Sequence, residues 1–582
     1  MASNVPEKNE DNVPDWVLAK RGINYLINNN AKEAQELFSS FPESLPMCAG
    51  YSFAAFMDAL MTFEDDKLNL ATSVLKEIER KCTSETGWFK SMKKAFGSSD
   101  NCSLAENLET QIILADSQVC LAILTFLQQD ISGYFKGGWV LRKAWKVYQS
   151  TYQEILQLYK ELGGEIGTQL PEAVVEQPMS PECSPTGSEA SKSDPLNGRS
   201  AQIDKATIER LMGAVSFGYG LFQLGISLLP PSLLRLTNFL GFGGNRQNGI
   251  ACLMYAREGI DMRAPLATLS LLWYHTIVRP FYALDGSNVQ AGVNAATQLL
   301  QESEEEYGQS ALFLFFKGRV NRLNSDIPNA LKSFQSSVEN ATQREIKILA
   351  LHEVGWCHLI QLDYCNAENT FSYLKSWSRW SRAFYSYLAG ICCGSCQNST
   401  NLTNIKEIKT GVTLGTKGNQ LDEFLSRRAK CCPSDDDELS ILPPIFWKLL
   451  VYEMLYLWNA LPSCLPQNIE QIKRDCEQVG DGEEPMLALS KLILGCCHCI
   501  QRQFEAGIEN FRLCLNLRKG CPNNAVDAHI SAFSHYELGA LLIKTNETKA
   551  EGKLLLQSIA QYKDYDFEQR LNVRVHSMLK QL

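Results

Sequence analysis

The sequence lacks an excess of basic residues, a targeting segment and any long β-type pattern. Its 55 lysines and arginines are outnumbered by 65 aspartates and glutamates, which gives a net charge of -10. Nucleic-acid binding normally needs a basic surface, so this balance argues against DNA and RNA as partners. Residues 1–15 are polar and acidic, unlike a secretory signal or an arginine-rich transit peptide. We therefore predict a cytoplasmic protein.

Catalytic and metal-binding motifs are also missing. The segment HEVGWCH begins like the zinc-protease motif H-E-x-x-H, but Trp356 stands where the second histidine is needed. The residues around Ser216 lack the preceding strand of a nucleophile elbow. The glycine-rich run at 241–249 lacks the G-K-[ST] ending of a phosphate loop. We predict that the protein is not an enzyme and that it binds no cofactor.

The 20 cysteines are spread over the whole chain, and many lie inside apolar runs. Most are therefore predicted to be reduced thiols in the core. Two CxxC pairs leave an alternative open: Cys393 with Cys396, and Cys496 with Cys499. Zinc needs four ligands, and a redox CxxC needs a strand-to-helix context that is not visible here. A metal or redox protein is the hypothesis that these pairs would support.

A repeated pattern of small and aromatic residues runs from residue 311 to residue 377. Two triplets of residues have the same internal spacing: Gly318, Ala330, Phe334 and Gly355, Ala367, Phe371. Two antiparallel helices approach closely only where one of them offers a small residue at the crossing. An aromatic residue one turn after the second small residue lies on the same face and fills the gap. This spacing is typical of the tetratricopeptide repeat, a helix-turn-helix unit.

Related offsets recur towards both ends of the chain. They predict further repeat-packing residues: Gly22, Ala34, Phe38, Ala59, Ala71, Gly495, Gly507, Phe511 and Gly539. The final segment YDFEQRLNVRVHSML is amphipathic, as expected of a capping helix that no further repeat covers. The predicted fold class is all-α, a tetratricopeptide-like helical hairpin solenoid (an α-α superhelix) with a disordered insert.

Composition divides the chain into six segments. Residues 164–203 are rich in Ser, Pro, Gly and Glu without a hydrophobic period, which predicts a disordered linker. Ser180 and Ser184 each precede a proline there and are candidate phosphorylation sites. The predicted segments are a disordered N-terminus (1–13), N-terminal helical repeats (14–163), the linker (164–203), central helical repeats (204–396), a polar loop region (397–440) with a short helix around 421–428, and C-terminal helical repeats with the capping helix (441–582).

The run from Gly213 to Leu234 carries no charged residue and is long enough to span a bilayer. Its glycines and the pair Pro230 and Pro231 instead favour a buried helical hairpin, with the prolines at the turn. We predict no integral membrane span. Peripheral membrane association, or an apolar lipid pocket formed by this run, is the alternative.

Several runs outside the repeat consensus point to a family. They are KGGWVLRKAWKVY, GAVSFGYGLFQLGISLLPPSLL, APLATLSLLWYHTIVRPF and YDFEQRLNVRVH. These runs resemble the tetratricopeptide repeat protein 39 family over nearly the whole chain outside the insert. The resemblance implies a cytoplasmic helical scaffold without catalytic residues. It also implies a role among those associated with the family, which are cilium assembly, lipid homeostasis, protein ubiquitination, lipid droplets and inclusion-body clearance.

The favoured hypothesis is an intracellular adaptor, a monomer whose concave repeat surface binds a segment of a protein partner. Chaperone-binding tetratricopeptide domains hold a peptide carboxylate with Lys, Asn and Arg at set positions. Those positions are occupied here by Ala19, Ile23, Phe315 and Trp356, along with Arg319. A carboxylate clamp is therefore not expected there, and a groove should be lined by apolar and aromatic groups. The basic residues between aromatics at 136–152 fit either a solvated face or a groove for an acidic peptide.

Overall fold

The computed structural model describes most of the chain as helix. The described residues are 13–62, 64–86, 103–127, 131–162, 203–229, 231–284, 288–378, 382–396, 403–412, 420–431, 442–479, 485–580 and 582. Every regular element within these ranges is helical. This confirms the predicted all-α class with a tetratricopeptide-like arrangement of helices. The chain divides into two compact units, Met1–Leu271 and Leu272–Leu582, whereas the predicted segment boundaries stay a prediction.

The N-terminal unit consists of helices, several of which pack in pairs. Its helices are α1 (Asp15–Ile27), α2 (Ala31–Ser39), α3 (Leu45–Thr62), α4 (Asp65–Thr86), α5 (Leu104–Leu127), α6 (Ile131–Glu161), α7 (Lys205–Ser227), α8 (Pro231–Phe239) and α9 (Arg246–Arg257). Helix α10 (Ala264–Trp273) contains the division between the units. The pairs α1/α2, α3/α4, α5/α6 and α7/α9 pack against each other.

The C-terminal unit begins with a π-helix at Tyr274–Val278. Its α-helices are α11 (Arg279–Phe281), α12 (Gln290–Glu302), α13 (Glu304–Tyr307), α14 (Ala311–Leu323), α15 (Ile327–Asn340), α16 (Arg344–Ile360), α17 (Tyr364–Trp377), α18 (Arg382–Ser395), α19 (Thr403–Val412), α20 (Gln420–Cys431), α21 (Pro444–Leu457), α22 (Pro466–Glu477), α23 (Met486–Ile500), α24 (Phe504–Leu517), α25 (Ala528–Leu542), α26 (Lys549–Ser558) and α27 (Glu568–Lys580). Two 3₁₀ turns, Leu461–Ser463 and Ile559–Gln561, lie between them. The region predicted as a polar loop thus contains α19 and α20.

Four hairpins use the same contact between a glycine and a phenylalanine. The pairs are Gly22 with Phe38, Gly318 with Phe334, Gly355 with Phe371, and Gly495 with Phe511. A Cβ atom on any of these glycines would lie 2.5 or 2.6 Å from a ring carbon. Each ring is at most 4% exposed. The ring therefore occupies the space that a side chain on the first helix would need, and it sets how closely the two helices pack.

The other predicted packing residues also lie in helix crossings. Gly539 faces Leu556 instead of a phenylalanine, since a Cβ on this glycine would lie 2.9 Å from Leu556 Cγ, and Gly507 faces the Cys499 sulphur. The predicted alanines are at most 1% exposed: Ala34, Ala59, Ala71, Ala330 and Ala367. The predicted alanines are thus buried, while their role at the helix crossings stays a prediction.

The turn inside four hairpins contains a left-handed residue that is not glycine. These residues are Asn29, Ser325, Leu362 and Arg502, with φ between 59° and 69°. Each stands seven positions after a packing glycine. A left-handed conformation costs about 1 kcal/mol or more for a residue with a side chain. Packing of the two helices therefore holds the turn in a shape that its own residues do not favour.

The uncharged run from Gly213 to Leu234 lies mostly in α7. Helix α7 is almost entirely buried from Gly213 to Leu224, and α8 starts at Pro231. Gly220 of α7 and Gly249 of α9 bring two backbones together, because a Cβ on Gly220 would lie 2.9 Å from the Gly249 oxygen. The part of the run from Gly213 to Leu224 is therefore in the protein core of this unit.

A buried charge network connects several helices of the N-terminal unit. Arg263 is 1% exposed, and its guanidinium donates to Asp116 at 2.8 Å and to Asp261 at 2.9 Å. Arg210 donates to Glu109 at 2.7 Å and to Asp261 at 3.3 Å. Buried charges remain ionised only when they are paired, so each arginine requires its carboxylates.

Helix α27 packs into the C-terminal unit through two buried arginines. The Arg570 guanidinium lies 5.0 Å from the ring centres of Phe281 and Phe567 and 5.6 Å from that of Phe533. Arg574 donates to the backbone oxygen of Phe281 at 2.6 Å. The segment predicted as a capping helix is thus anchored by two arginines, which contact aromatic faces and a backbone carbonyl oxygen.

Replacement of Gly355 by leucine should destabilise the C-terminal unit. The added side chain must displace Phe371, whose ring lies where a Cβ would stand. We expect a loss of about 1–3 kcal/mol or more in the free energy of unfolding, measured by denaturant titration.

Gly225→Ala is the matched control for this glycine substitution. Gly225 is an exposed glycine inside α7, and a Cβ added to it would have no atom within 4 Å. Alanine should keep or raise stability by up to about 1 kcal/mol, because it favours the helix. If Gly355→Leu were as stable as the unmodified chain, the assigned repeat register would be wrong.

Candidate protein-binding surfaces

In the C-terminal unit, the face of the first helices that carries the clamp positions is covered by the same chain. Trp458, which follows α21, stacks on Trp356 of α16 at 5.7 Å and on Phe384 of α18 at 5.2 Å. Phe567, just before α27, meets Trp458 edge-on at 5.5 Å. Trp356 and Phe384 are at most 1% exposed. A peptide could reach these residues only by displacing other segments of the unit.

A buried ionic cluster lies on the same face. Arg319 donates to both carboxylate oxygens of Glu353 at 2.9 Å, and Arg322 also pairs with Glu353. Arg319 donates a further hydrogen bond, at 2.8 Å, to the backbone oxygen of Thr276 in the π-helix. Burial alone would raise the pKa of Glu353, but the two guanidiniums lower it to about 2. The cluster therefore joins α14 and α16 to the π-helix.

Sequence reasoning missed this cluster because its members are far apart in the chain. A usable signal existed: Arg319 directly follows the packing residue Gly318, and Glu353 stands two positions before Gly355. Charged residues next to a crossing glycine lie on a buried face and need partners. Opposite charges at neighbouring repeats are the pattern that indicates such a pair.

The five positions compared with a carboxylate clamp are all buried. Ala19 and Ile23 are 0% exposed, Phe315 and Trp356 at most 2%, and Arg319 is paired with Glu353. None of them faces solvent, so these positions do not form a peptide-binding surface in this conformation.

An open cleft of about 450 Å³ lies along α1 and the turn that follows it. It is lined by Val17, Lys20, Arg21, Asn24, Tyr25, Asn28 and Asn30. Two cationic side chains and three amides line the cleft, and its lining among the described residues includes no carboxylate. Such groups donate hydrogen bonds to carboxylates, so the cleft has the chemistry to bind an acidic or carboxylate-ended peptide. The lining differs from the apolar groove that the sequence predicted.

Three further surfaces expose aromatic side chains. Tyr373 and Trp377 of α17 are 47% and 54% exposed and stack at 5.5 Å. In the N-terminal unit, Arg142 lies over the ring of exposed Trp139 at 5.4 Å. Phe239, the last residue of α8, is 87% exposed. Exposed aromatic groups are frequent anchors for partners or membranes.

The histidine and cysteine motifs are mostly part of the packing. Burial lowers the pKa of His352 to about 4, and this imidazole accepts a hydrogen bond from Trp356 Nε1 at 2.9 Å. Burial raises the pKa of the Cys496 thiol well above its ordinary value, and Cys393 is also buried. Across the described residues, no group of three or more His, Cys, Asp or Glu side chains is arranged to hold a metal ion.

The described helices include one candidate for a membrane span, Leu104–Thr125 in α5. Its apolar window is 78% buried within the protein. This burial is typical of a core helix in a globular unit. The candidate phosphorylation sites Ser180 and Ser184 lie outside the described residues.

Comparison with protein families gives one match. A family model described as Iml2/Tetratricopeptide repeat protein 39 matches residues 20–501. The matched range contains most of α1, most of the glycine-phenylalanine crossings, and the Arg319–Glu353 cluster. It therefore extends over both units and includes most of the candidate cleft.

Replacement of Glu353 by glutamine should destabilise the C-terminal unit by about 3–5 kcal/mol at neutral pH, because two buried guanidiniums lose their carboxylate. The effect should depend on pH. The lowered pKa of Glu353 contributes stability above about pH 4.5, and this is lost as the pH falls towards about 2. The stability difference between the two proteins should shrink over that window, measured by thermal unfolding.

Glu339→Gln is the control for this pH series, because Glu339 is exposed on α15. It should leave stability within about 0.5 kcal/mol of the unmodified chain. A Glu353→Gln protein with unchanged stability from neutral pH to pH 2 would contradict the assigned role of the cluster.

Proposed function

The chain belongs to the Iml2/Tetratricopeptide repeat protein 39 family, and from this premise we propose that it is a non-catalytic scaffold that binds protein partners through its helical-repeat surface. Stacked helical hairpins are used widely to present extended binding surfaces, which supports an interaction role. Because the face around Trp356 is covered, we place the proposed binding surface elsewhere on the repeats.

The cleft on α1 is the observation that carries this proposal. Lys20 and Arg21 supply positive charge, while Asn24, Asn28 and Asn30 supply amide donors and acceptors. Tyr25 is 36% exposed and gives the cleft an aromatic wall. These groups suit an acidic peptide segment, with the charges selecting the partner and the aromatic ring adding contact area.

The net charge of the chain affects where an acidic partner is expected to bind. At a net charge of -10, the chain as a whole repels acidic partners, and a local cationic cleft offers a place of attraction. Binding of an acidic segment at this cleft should weaken at high salt, since screening reduces the attraction between exposed charges.

At a finer level, we propose a monomeric cytoplasmic adaptor that acts in cilium assembly. We also propose that within the family the chain is most like the C member, and such a likeness would support that choice. The segment 164–203, with Ser180 and Ser184, would serve as a regulatory or docking tail. Proximity labelling in ciliated cells with the full chain and with a chain lacking residues 164–203 would identify the partners that depend on it.

The alternative function is a membrane- or lipid-droplet-associated protein in lipid homeostasis or protein turnover. One observation favours it. Phe239 is 87% exposed at the end of α8, and an aromatic ring at the tip of a helix can anchor in a lipid interface. The buried state of Gly213 to Leu224 argues against this part of the apolar run as the contact surface.

Lys20→Glu should weaken partner binding about tenfold or more, which corresponds to about 1.4 kcal/mol. The substitution replaces attraction by repulsion in the cleft. The measurement is quantitative mass spectrometry of proteins that co-purify with the tagged chain from ciliated cells. The same variant should fail to restore the number of ciliated cells after depletion of the protein.

Lys32→Glu is the matched control. Lys32 lies on α2 with its side chain 84% exposed, and it does not line the cleft. It should retain the full set of partners. Equal partner recovery with Lys20→Glu would remove the cleft from the proposal, and an unmodified chain that returned only background proteins would reject the scaffold function.

Phe239→Ser tests the membrane alternative. If α8 anchors in lipid, the substitution should lower co-sedimentation with phosphatidylcholine vesicles and recovery with lipid droplets by several fold, without a change in unfolding temperature. Complete recovery of the unmodified protein in the vesicle-free fraction would reject the alternative.

A further inference from the structure

Two cysteine sulphurs lie close together at one end of a helix pair in the C-terminal unit. Cys365 is the second residue of α17, and Cys396 follows the last residue of α18. Their Sγ atoms are 2.7 Å apart. The pair joins residues from different helices, so it is distinct from the CxxC pairs visible in the sequence.

Both residues are held by their local backbone. The amide of Cys396 donates to the oxygens of Cys392 and Cys393 at 3.1 and 3.2 Å, which continues the last turn of α18. Asp363 caps α17 by accepting from the Asn366 amide at 3.2 Å. The sulphurs must approach by about 0.7 Å from their separation of 2.7 Å to reach the length of about 2.05 Å of a disulfide bond.

The two thiols differ in access to solvent. Cys365 is exposed to solvent, whereas Cys396 is half-buried. Burial raises the pKa of Cys396 well above its ordinary value, and the contact with Cys365 and the charge of Glu368 raise it further. Cys365 is therefore the thiol that an oxidant reaches first, and Cys396 is the thiol that follows.

We propose that Cys365 and Cys396 are a thiol-disulfide modification site that closes reversibly with a disulfide oxidant such as oxidised glutathione. The Cys365 thiolate attacks one glutathione sulphur, forms a mixed disulfide and releases one glutathione thiolate. Cys396 then loses its proton to solvent and attacks the Cys365 sulphur, which forms the internal disulfide and releases the second glutathione thiolate. The two cysteines are oxidised by two electrons, and one oxidised glutathione becomes two reduced molecules.

Closure would connect two helices that already pack against each other. Helix α19 contacts α17 through Asn404, which donates to Glu368 at 2.8 Å and to Ser372 at 3.1 Å. Lys375 of α17 also pairs with Glu407 of α19. A disulfide at Cys396 fixes the point where the chain leaves α18 on its way to α19. The oxidised site therefore restrains the packing of three helices.

The experiment equilibrates the full chain with mixtures of reduced and oxidised glutathione, followed by acid quench and alkylation of remaining thiols. Cleavage before Asp363 and after Lys375 separates Cys365 from every other cysteine. We expect a non-reduced peptide pair that joins 363–375 to 383–406, lighter than the two reduced peptides by two hydrogen atoms. Its fraction should rise with oxidised glutathione and return to zero after reduction.

Single substitutions identify the second cysteine, since 383–406 contains three. Cys365→Ser and Cys396→Ser should each abolish the linked pair, and Cys521→Ser, another partly exposed thiol, should retain it. A chain that carried glutathione on Cys365 at every ratio without a linked pair would overturn the proposal. A linked pair that persisted in Cys396→Ser would overturn it as well.

Thermal unfolding gives an independent readout. The oxidised chain should unfold at a higher temperature than the reduced chain, because the link restricts the unfolded state. Cys365→Ser should show the same unfolding temperature in both buffers. Equal temperatures for the oxidised and reduced unmodified chain would contradict a restraining role for the site.

Discussion

The close crossing of two helices is the constraint on which the fold depends. A glycine on the first helix leaves room for one ring from the second, and this contact recurs from Gly22 to Gly495. The contact fixes the distance and angle within a hairpin, so that hairpins of different sequence take the same shape. It also holds turns such as that at Leu362 in a left-handed conformation. Repetition of this one type of helix crossing produces the solenoid architecture.

Local spacing made the hairpins predictable from sequence. Residues that are far apart in the sequence but in contact in the fold show no such pattern. The Gly355 and Phe371 offset is repeated, so the crossing could be recognised without a structure. Trp458 carries no repeat signature, yet it fills the face of Trp356. Cys365 likewise gave no signal, because the CxxC spacing assigns Cys396 to Cys393 instead. The candidate cleft on α1 was missed because its residues are ordinary surface types whose joint exposure only a fold reveals.

Buried ion pairs add a second structural constraint to that of the hairpin crossings. A ring against a glycine tolerates neighbouring repeats of many kinds, whereas a guanidinium in the core requires one particular carboxylate. Arg263 with Asp116 in one unit, and Arg319 with Glu353 in the other, therefore select which helices become neighbours. Burial of apolar surface stabilises the fold, and the buried charges restrict the register in which the helices can pack to bury that surface.

The docking of α27 has a consequence for synthesis of the chain. Arg574 binds the carbonyl of Phe281, a residue 293 positions earlier, and Arg570 completes an aromatic cluster around the same residue. Individual hairpins can form as they leave the ribosome, but the start of the C-terminal unit stays uncovered until α27 has been translated. A nonsense mutation before α27 would expose this aromatic surface to chaperones and proteases.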